Sequence, residues 1–450
     1  MAVKYLKSAE EIPGSYGLPY FGEAIELFKE QQCFHLRRFN RYGPVYKTKI
    51  FNTKIACFVS PEANQRILKD EADKFSSRQV WKFIEPLLGN GIIFQDGVKH
   101  ERSRKIMYPA FHGQAIAVYF EIVRNTVENF LAKWQHKKNI FLFNDLRQLN
   151  LIIGCQLFFG AQAESEVEKL NQWFSDLVEG IRTVVRWDIP LTKFGRARIA
   201  RGKIEEFLSS IIARRRKENN SEKLEDVLDL LINSTDEEGD ILSDSEIINE
   251  AIGLLYLAHE NIAKMLCWVL FELAGNPDWL SKLRQEQSEI ISKDRLQFLH
   301  LKNLTKIEWF LKEVERIYPS LYTIPRAVVE DFECEGYVIP KNWFVIVSPL
   351  LTHRSPLIYK NPDKFDPLRF APPRQEDKKH PFALIGFGGG IHQCLGFELA
   401  QMEIKIILSM ILKHYNWEIS PKYGEIAPAL QATKKIEEQM TIDVFPHSLT

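Results

Sequence analysis

Ten residues, Phe387–Gly396, read FGGGIHQCLG and place a cysteine behind three consecutive glycines. Glycine costs about 0.5–1 kcal/mol relative to alanine inside regular structure. A run of it therefore marks either a flexible turn or a backbone that must come close to a ligand. Zinc would require three or four ligands at short spacing, and His392 is the only nearby candidate. A dinucleotide fingerprint fails because Ile391 stands at the required third glycine. A nucleophilic thiol with His392 as base lacks the strand-and-elbow context of such sites.

One arrangement uses every part. Cys394 precedes a helical pattern whose N-terminal dipole favours a thiolate. Gly388, Gly389 and Gly390 let the loop fold under a flat group, Gly396 keeps a side chain out of its way, and Phe387 walls off water. A single thiolate in a dry, hydrogen-bonded setting is how haem iron is held for O–O cleavage.

The stretch resembles the haem-binding signature of the cytochrome P-450 superfamily, F-x-x-G-x-[R/H]-x-C-x-G, through Phe387, Gly390, His392, Cys394 and Gly396. Four further segments agree in order. KEVER supplies Glu313 and Arg316 as the family's ion pair, FDPLRF supplies Arg369 as its third member, HRSPLIYKNPDKFDPLRF matches the family stretch that contains it, and DGVKHERSRKIMYPAF carries His100 and Arg104. The resemblance runs from about Gly17 to the C-terminus. It implies haem b with an axial Cys394 thiolate, and propionate partners at His100, Arg104, Arg326 and His392. Histidine at 392 stands where most relatives have arginine and is a pH-sensitive partner. Glu313 and Arg316, at i and i+3, share a helix face, and a buried bidentate set with Arg369 would fix a distant loop.

The segment LLYLAHENIAKML resembles the family's oxygen-side helix, with Ala258 as the small residue, Glu260 as the acid, and Asn261 where the family usually has threonine. An amide donates and accepts hydrogen bonds but does not relay a proton as a hydroxyl does. Three functions follow, in order. The first is a monooxygenase that inserts one atom of O2 into an apolar small molecule (fatty acid, terpenoid or retinoid-like). The second is a peroxide-using isomerase, dehydratase or peroxygenase. The third is a haem-binding carrier or sensor. The chain carries no flavin or iron–sulfur motif, so a monooxygenase would draw electrons from a ferredoxin or similar partner. Lys99, Arg102, Lys105, Lys312 and Lys405 are expected to form a basic face on the cysteine side that attracts it. Apolar pocket-lining segments are expected at WKFIEPLLGNGIIF, WFSDLVEGIRTVVRW and LYTIP.

The elements that must position these residues are legible from periodicity. VYKTKIF and KIACFVS, turning at Asn52–Thr53, read as a hairpin, followed by a helix from Pro61. Residues 115–291 are mostly helical, interrupted by the polar runs from Arg214 and Ser234, both read as solvated connections, with Ser243 as an N-cap. A helix from about Leu304 ends at Ile317, short strands follow, and a last helix follows Cys394. The expected fold is mainly α with a minor β subdomain, a single domain over 1–450 with haem between two long helices. The small sheets fall in about 1–75 and parts of 320–450, the helical core in 80–320 and 395–415.

Among 450 residues, lysine plus arginine and aspartate plus glutamate each number 59. That balance argues against a nucleic-acid partner. The N-terminus shows no signal peptide, and the apolar stretch Ala251–Ala274 is interrupted by His259, Glu260, Asn261, Lys264 and Glu272, so no transmembrane segment is expected. Six scattered cysteines fit a reducing, cytoplasmic setting.

Overall fold

The computed structural model describes residues 6–160, 167–183, 186–218, 226–236, 239–291, 295–420 and 439–447. The described residues divide into two compact units, one of the residues up to Val80 with Thr305–Cys394, the other of Trp81–Leu304 with the residues from Leu395 on.

The first unit is built on a five-stranded sheet in the order Val45–Ile50, Thr53–Phe58, Phe344–Val347, Ile324–Val328, Phe75–Ser76. Valine, isoleucine and phenylalanine dominate its inner strands, as side chains that suit a pleated, buried surface. The expected hairpin forms, but its turn sits at Phe51–Asn52, one residue earlier than expected. Ile50 pairs with Thr53, and Phe51 takes the left-handed φ of 51°. A three-stranded sheet joins Lys7–Ser8, Tyr337–Ile339 and Phe332–Cys334. Phe58, Phe75, Phe332, Val345 and Val347 form one core, and Ile385, just ahead of the cysteine loop, is buried in it. The helix Thr305–Ile317 packs on the turn Pro367–Phe370. That helix keeps its apolar stripe, Ile307, Phe310, Leu311 and Val314, fully inside.

The second unit is helical. Its long helix, Asp244–Gly275, starts at a capping box in which Ser243 and Glu246 satisfy each other's backbone N–H groups. It packs on Leu142–Phe159 and Phe397–His414, and Val167–Arg182 packs on Lys193–Glu218. Among the described residues it is the one helix long and apolar enough to cross a membrane, and 59% of that apolar window is buried inside the protein, as in a core helix. A small antiparallel sheet joins Tyr415–Ile419, Thr441–Pro446 and Ile140–Phe141.

The polar run from Arg214 departs from its expected role. Arg214–Glu218 completes the helix Lys193–Glu218. Arg215 pairs with Asp226 at 2.6 Å and Asp229 at 2.7 Å, and the buried Asp226 caps the helix Val227–Asn233. Residues 219–225 of that run lie outside the described residues. Its ends are therefore a partly buried clasp rather than a solvated connection.

Candidate active site

Glu313 and Arg316 lie one turn apart on the helix Thr305–Ile317, and Arg369 comes from the turn Pro367–Phe370. All three are fully buried. Arg316 donates Nε–H and Nη2–H to the two Glu313 oxygens at 2.7 and 2.9 Å, and Arg369 donates Nε–H to the same carboxylate at 3.0 Å. The remaining guanidinium hydrogens go to the carbonyls of His353, Pro362, Lys360 and Lys364, and to Glu376 at 2.8 Å. Two cations and two anions are thus enclosed with their hydrogen bonds met, the condition under which buried charge is tolerated. Glu376 also receives Arg374 at 2.8 Å. It is a fourth member hidden in the charged loop FAPPRQEDKKHP, where nothing in its spacing singles it out.

The cysteine loop brings Phe387, Gly388, His392 and Cys394 together. Cys394 N–H donates to the Phe387 carbonyl at 2.9 Å, Gly388 N–H to Ile385 at 2.9 Å, and Gln393 N–H to Gly390 at 3.2 Å. Gly388 and Gly390 take left-handed φ values of 76° and 63°, which only glycine adopts without strain. At Gly390 space also decides: a Cβ would lie 1.8 Å from the Leu68 carbonyl oxygen. Five cysteines are buried, Cys394 is exposed, and none is in a disulfide.

Three side chains hold the approach to this loop, and sequence reasoning missed all three. Glu315 accepts from Gly386 N–H at 3.1 Å, His353 Nε2 accepts from Ile385 N–H at 2.9 Å, and Asn64 Nδ2–H donates to the Phe382 carbonyl at 3.2 Å. Burial holds His353 neutral, its pKa down to about 3, so the accepting Nε2 leaves the proton on Nδ1. Burial pushes the Glu315 carboxyl up to about 8.

On the oxygen-side helix, Ala258, Glu260 and Asn261 occupy adjacent turns of Asp244–Gly275. Glu260 is buried and accepts from Arg182 Nη2 with both oxygens at 2.9 Å, while the Arg182 side chain remains 42% exposed. Asn261 Nδ2–H donates to the Leu257 carbonyl at 3.0 Å, a bond inside its own helix. Earlier on the same helix, Glu250 accepts from Ile92 N–H at 2.9 Å and ties down the expected pocket-lining segment. Burial raises its carboxyl to about 8.

Of the expected propionate partners, His100 is buried and Arg104 half-buried, one turn apart on Gly97–Met107. Arg326 is buried on the strand Ile324–Val328 and donates to the Pro325 carbonyl at 2.9 Å. His392 is half-buried. The expected basic face is corrected at one position, Lys405. Lys405 is buried, with Nζ 3.3 Å from the Leu301 carbonyl. Arg102 pairs with Asp236 at 2.7 Å and Lys312 with Asp377 at 3.1 Å. Lys99 and Lys105 are exposed.

The family model described as Cytochrome P450 matches residues 12–436. A putative cytochrome P450 120 of Synechocystis sp. is 29% identical over 411 residues, 91% of each chain. Abscisic acid 8'-hydroxylase 4 of Arabidopsis thaliana is 28% identical, over 92% of this chain and 87% of that one. The solved structure titled "Retinoic acid bound cyanobacterial CYP120A1" superposes with a TM-score of 0.88 at 27% identity, covering 98% of this chain and 100% of that one.

The family implies haem held by a cysteine thiolate, and the residues present fit it. The one exposed thiol sits on a loop shaped by glycines. At Gly396 φ is an ordinary −86°, and a Cβ would meet no protein atom within 4 Å. Neither conformation nor protein packing calls for glycine there, whereas a flat group lying beside the helix start does. The chain belongs to the cytochrome P450 family and is an oxidoreductase of its monooxygenase class.

Proposed function

We propose that this chain inserts one oxygen atom of O2 into an apolar small molecule of retinoid or terpenoid type, with electrons from a ferredoxin-type protein. The observation that carries this is the buried Glu260 carboxylate tied to the exposed Arg182. Sending one atom of O2 to water and the other to the substrate consumes two protons that must come from solvent. Arg182 carries none of them itself, but a buried carboxylate whose ion-pair partner opens to solvent exchanges protons with water when that pair parts. Rearranging a peroxide needs no such supply. Two relatives, one solved with retinoic acid bound and one an abscisic acid 8'-hydroxylase, support an isoprenoid acid as the substrate class.

Haem b, bound through Cys394, would supply the metal centre at which dioxygen is activated. Phe387, Gly388 and Gly396 would border it, and His100, Arg104, Arg326 and His392 would meet its propionates. Ala258 would leave room for a small ligand, Glu260 would hold and pass protons, and Asn261 would fix the reacting group by hydrogen bonding. Glu313, Arg316 and Arg369 would hold the surrounding loops. Lys99 and Lys105 are the cations we assign to the redox partner. The family model spans both compact units, which supports one functional domain, and the cysteine usage supports the cytoplasm.

Titrating retinoic acid, abscisic acid and fatty acids while following the ferric spin state selects the ligand. Turnover with ferredoxin, its reductase and NADPH under labelled dioxygen should then place one labelled atom in the product. Asn261, lacking the hydroxyl, favours a second reading in which the substrate is itself a peroxide. Faster turnover of a lipid hydroperoxide by ferric protein without reductant would establish that reading and overturn the first.

A further inference from the structure

The ion-pair trio does not act on Cys394 directly. The hydrogen bonds of Arg316 and Arg369 described above go to Glu313, to Glu376 and to carbonyls between His353 and Lys364. The bonds onto the approach to the cysteine loop come instead from Glu315, His353 and Asn64. Of these, Glu315 lies nearest to the ligand by covalent path. Its partner Gly386 immediately precedes Phe387, whose carbonyl accepts from Cys394 N–H at 2.9 Å. The Ile385 carbonyl, in the same peptide group as Gly386 N–H, accepts from Gly388 N–H at 2.9 Å, and Gly388 N–H shares its peptide group with the Phe387 carbonyl. The Glu315 carboxyl, two peptide groups and the ligand's own N–H thus form a hydrogen-bonded relay.

Gly386 carries an independent mark of this contact. Its φ lies outside the left-handed range, so its conformation does not require glycine. Space does: a Cβ there would lie 2.5 Å from Glu315 Oε1 and 2.6 Å from Glu315 Cγ. Glycine is present because the Glu315 side chain lies against the backbone, and the two residues form a matched pair.

We propose that Glu315 is a positioning residue for the haem ligand Cys394, acting through Gly386 N–H and the Phe387 carbonyl. This rests on the haem-thiolate reading. The groups facing Glu315 are Gly386 N–H, Lys312 on its own helix, Asp377 and the buried phenol of Tyr359. Lys312 and Asp377 pair with each other at 3.1 Å, so their charges largely offset. Buried and pushed up to about 8, the carboxyl is protonated at neutral pH and ionises on mild alkalinisation. Hydrogen bonds in a buried chain polarise one another. A negative charge appearing at one end therefore makes Cys394 N–H a poorer donor to its surroundings and favours the ferric over the ferrous state.

The test uses the holoprotein and reads the ferric–ferrous potential from pH 6.5 to 9.5, with the ferrous carbon-monoxide spectrum alongside. Wild type should show the red-shifted thiolate Soret band and a potential that falls through a one-proton step near pH 8. Glu315→Gln keeps an acceptor for Gly386 and should keep the haem and the band while losing that step. Glu315→Ala should convert from the thiolate band about tenfold faster, the equivalent of one lost hydrogen bond. Gly386→Ala should also weaken the band, and less so in the Glu315→Ala background, where the clash is gone. An unchanged pH step in Glu315→Gln, or strictly additive effects of the Ala pair, would overturn the proposal. A wild-type protein with bound haem but no red-shifted band would overturn the haem-thiolate reading beneath it.

Discussion

Glu403 sits on the helix Phe397–His414, fully enclosed, and among the described residues nothing hydrogen-bonds its Oε1. Burial alone pushes its carboxyl from 4.5 up to about 8. Below pH 4.5 the group is protonated in folded and unfolded chains alike, and folding incurs no ionisation penalty. As pH rises from 4.5 to about 8 the unfolded chain ionises while the folded one does not. Each pH unit then removes about 1.4 kcal/mol of stability. Over the window the loss reaches about 4–5 kcal/mol, a large share of a typical folding free energy. Glutamine has the same shape and never ionises. Glu403→Gln should match wild type near pH 5 and exceed its stability by several kcal/mol at pH 8.5. Urea unfolding of the two ferric holoproteins at matched pH, followed by tryptophan fluorescence, gives the difference. Parallel stability curves from pH 5 to 8.5 would refute the argument, as would a variant weaker than wild type throughout.

Three further outcomes are expected. Glu313→Ala leaves two buried guanidinium groups facing each other, at a cost of about 3–5 kcal/mol; the haem-to-protein ratio of the soluble fraction should collapse, and a normal ratio would refute the trio's role. Cys394→His should abolish the red-shifted ferrous carbon-monoxide band, and its survival would show that the thiolate is not the ligand. Asn261→Ala should leave ligand affinity within about threefold, a loss below one ordinary hydrogen bond, while raising the share of electrons lost as hydrogen peroxide. Asn261→Thr should stay coupled, and equal hydrogen peroxide yields from both variants would refute a hydrogen-bonding role for residue 261.

What could be read from sequence was chemistry with a fixed local spacing. The glycines ahead of Cys394, the i, i+3 pair on the Glu313 helix and the Ser243 cap each confine their partners to a few residues, so residue types alone disclose them. What could not be read are contacts whose partners are set by tertiary packing. Glu315 is a mere spacer in the Glu-x-x-Arg pattern, yet it finds Gly386 seventy-one positions on. Arg215 and Asp226 look like members of a solvated charge run until the helix end folds back to enclose them. Lys405 reads as a surface cation, but it stands among Glu403, Ile404, Ile406 and Ile407, all buried. A buried ammonium group is tolerated where it finds an acceptor, here the Leu301 carbonyl, and no charge count shows that.

The strand Thr53–Phe58 lies in parallel register against Phe344–Val347, and Gly390 is seated on the Leu68 carbonyl. On the ribosome, at about 5–20 residues per second, the first strand waits roughly 15–60 s for its neighbour to be made. Until then its hairpin has one unpaired edge, and the segment around Leu68 has nothing to receive. The ligand loop closes onto the segment around Leu68 only after the roughly 320 residues between them have been translated. A nascent chain stalled anywhere before Gly390 therefore lacks the residue that seats the ligand loop on the Leu68 carbonyl.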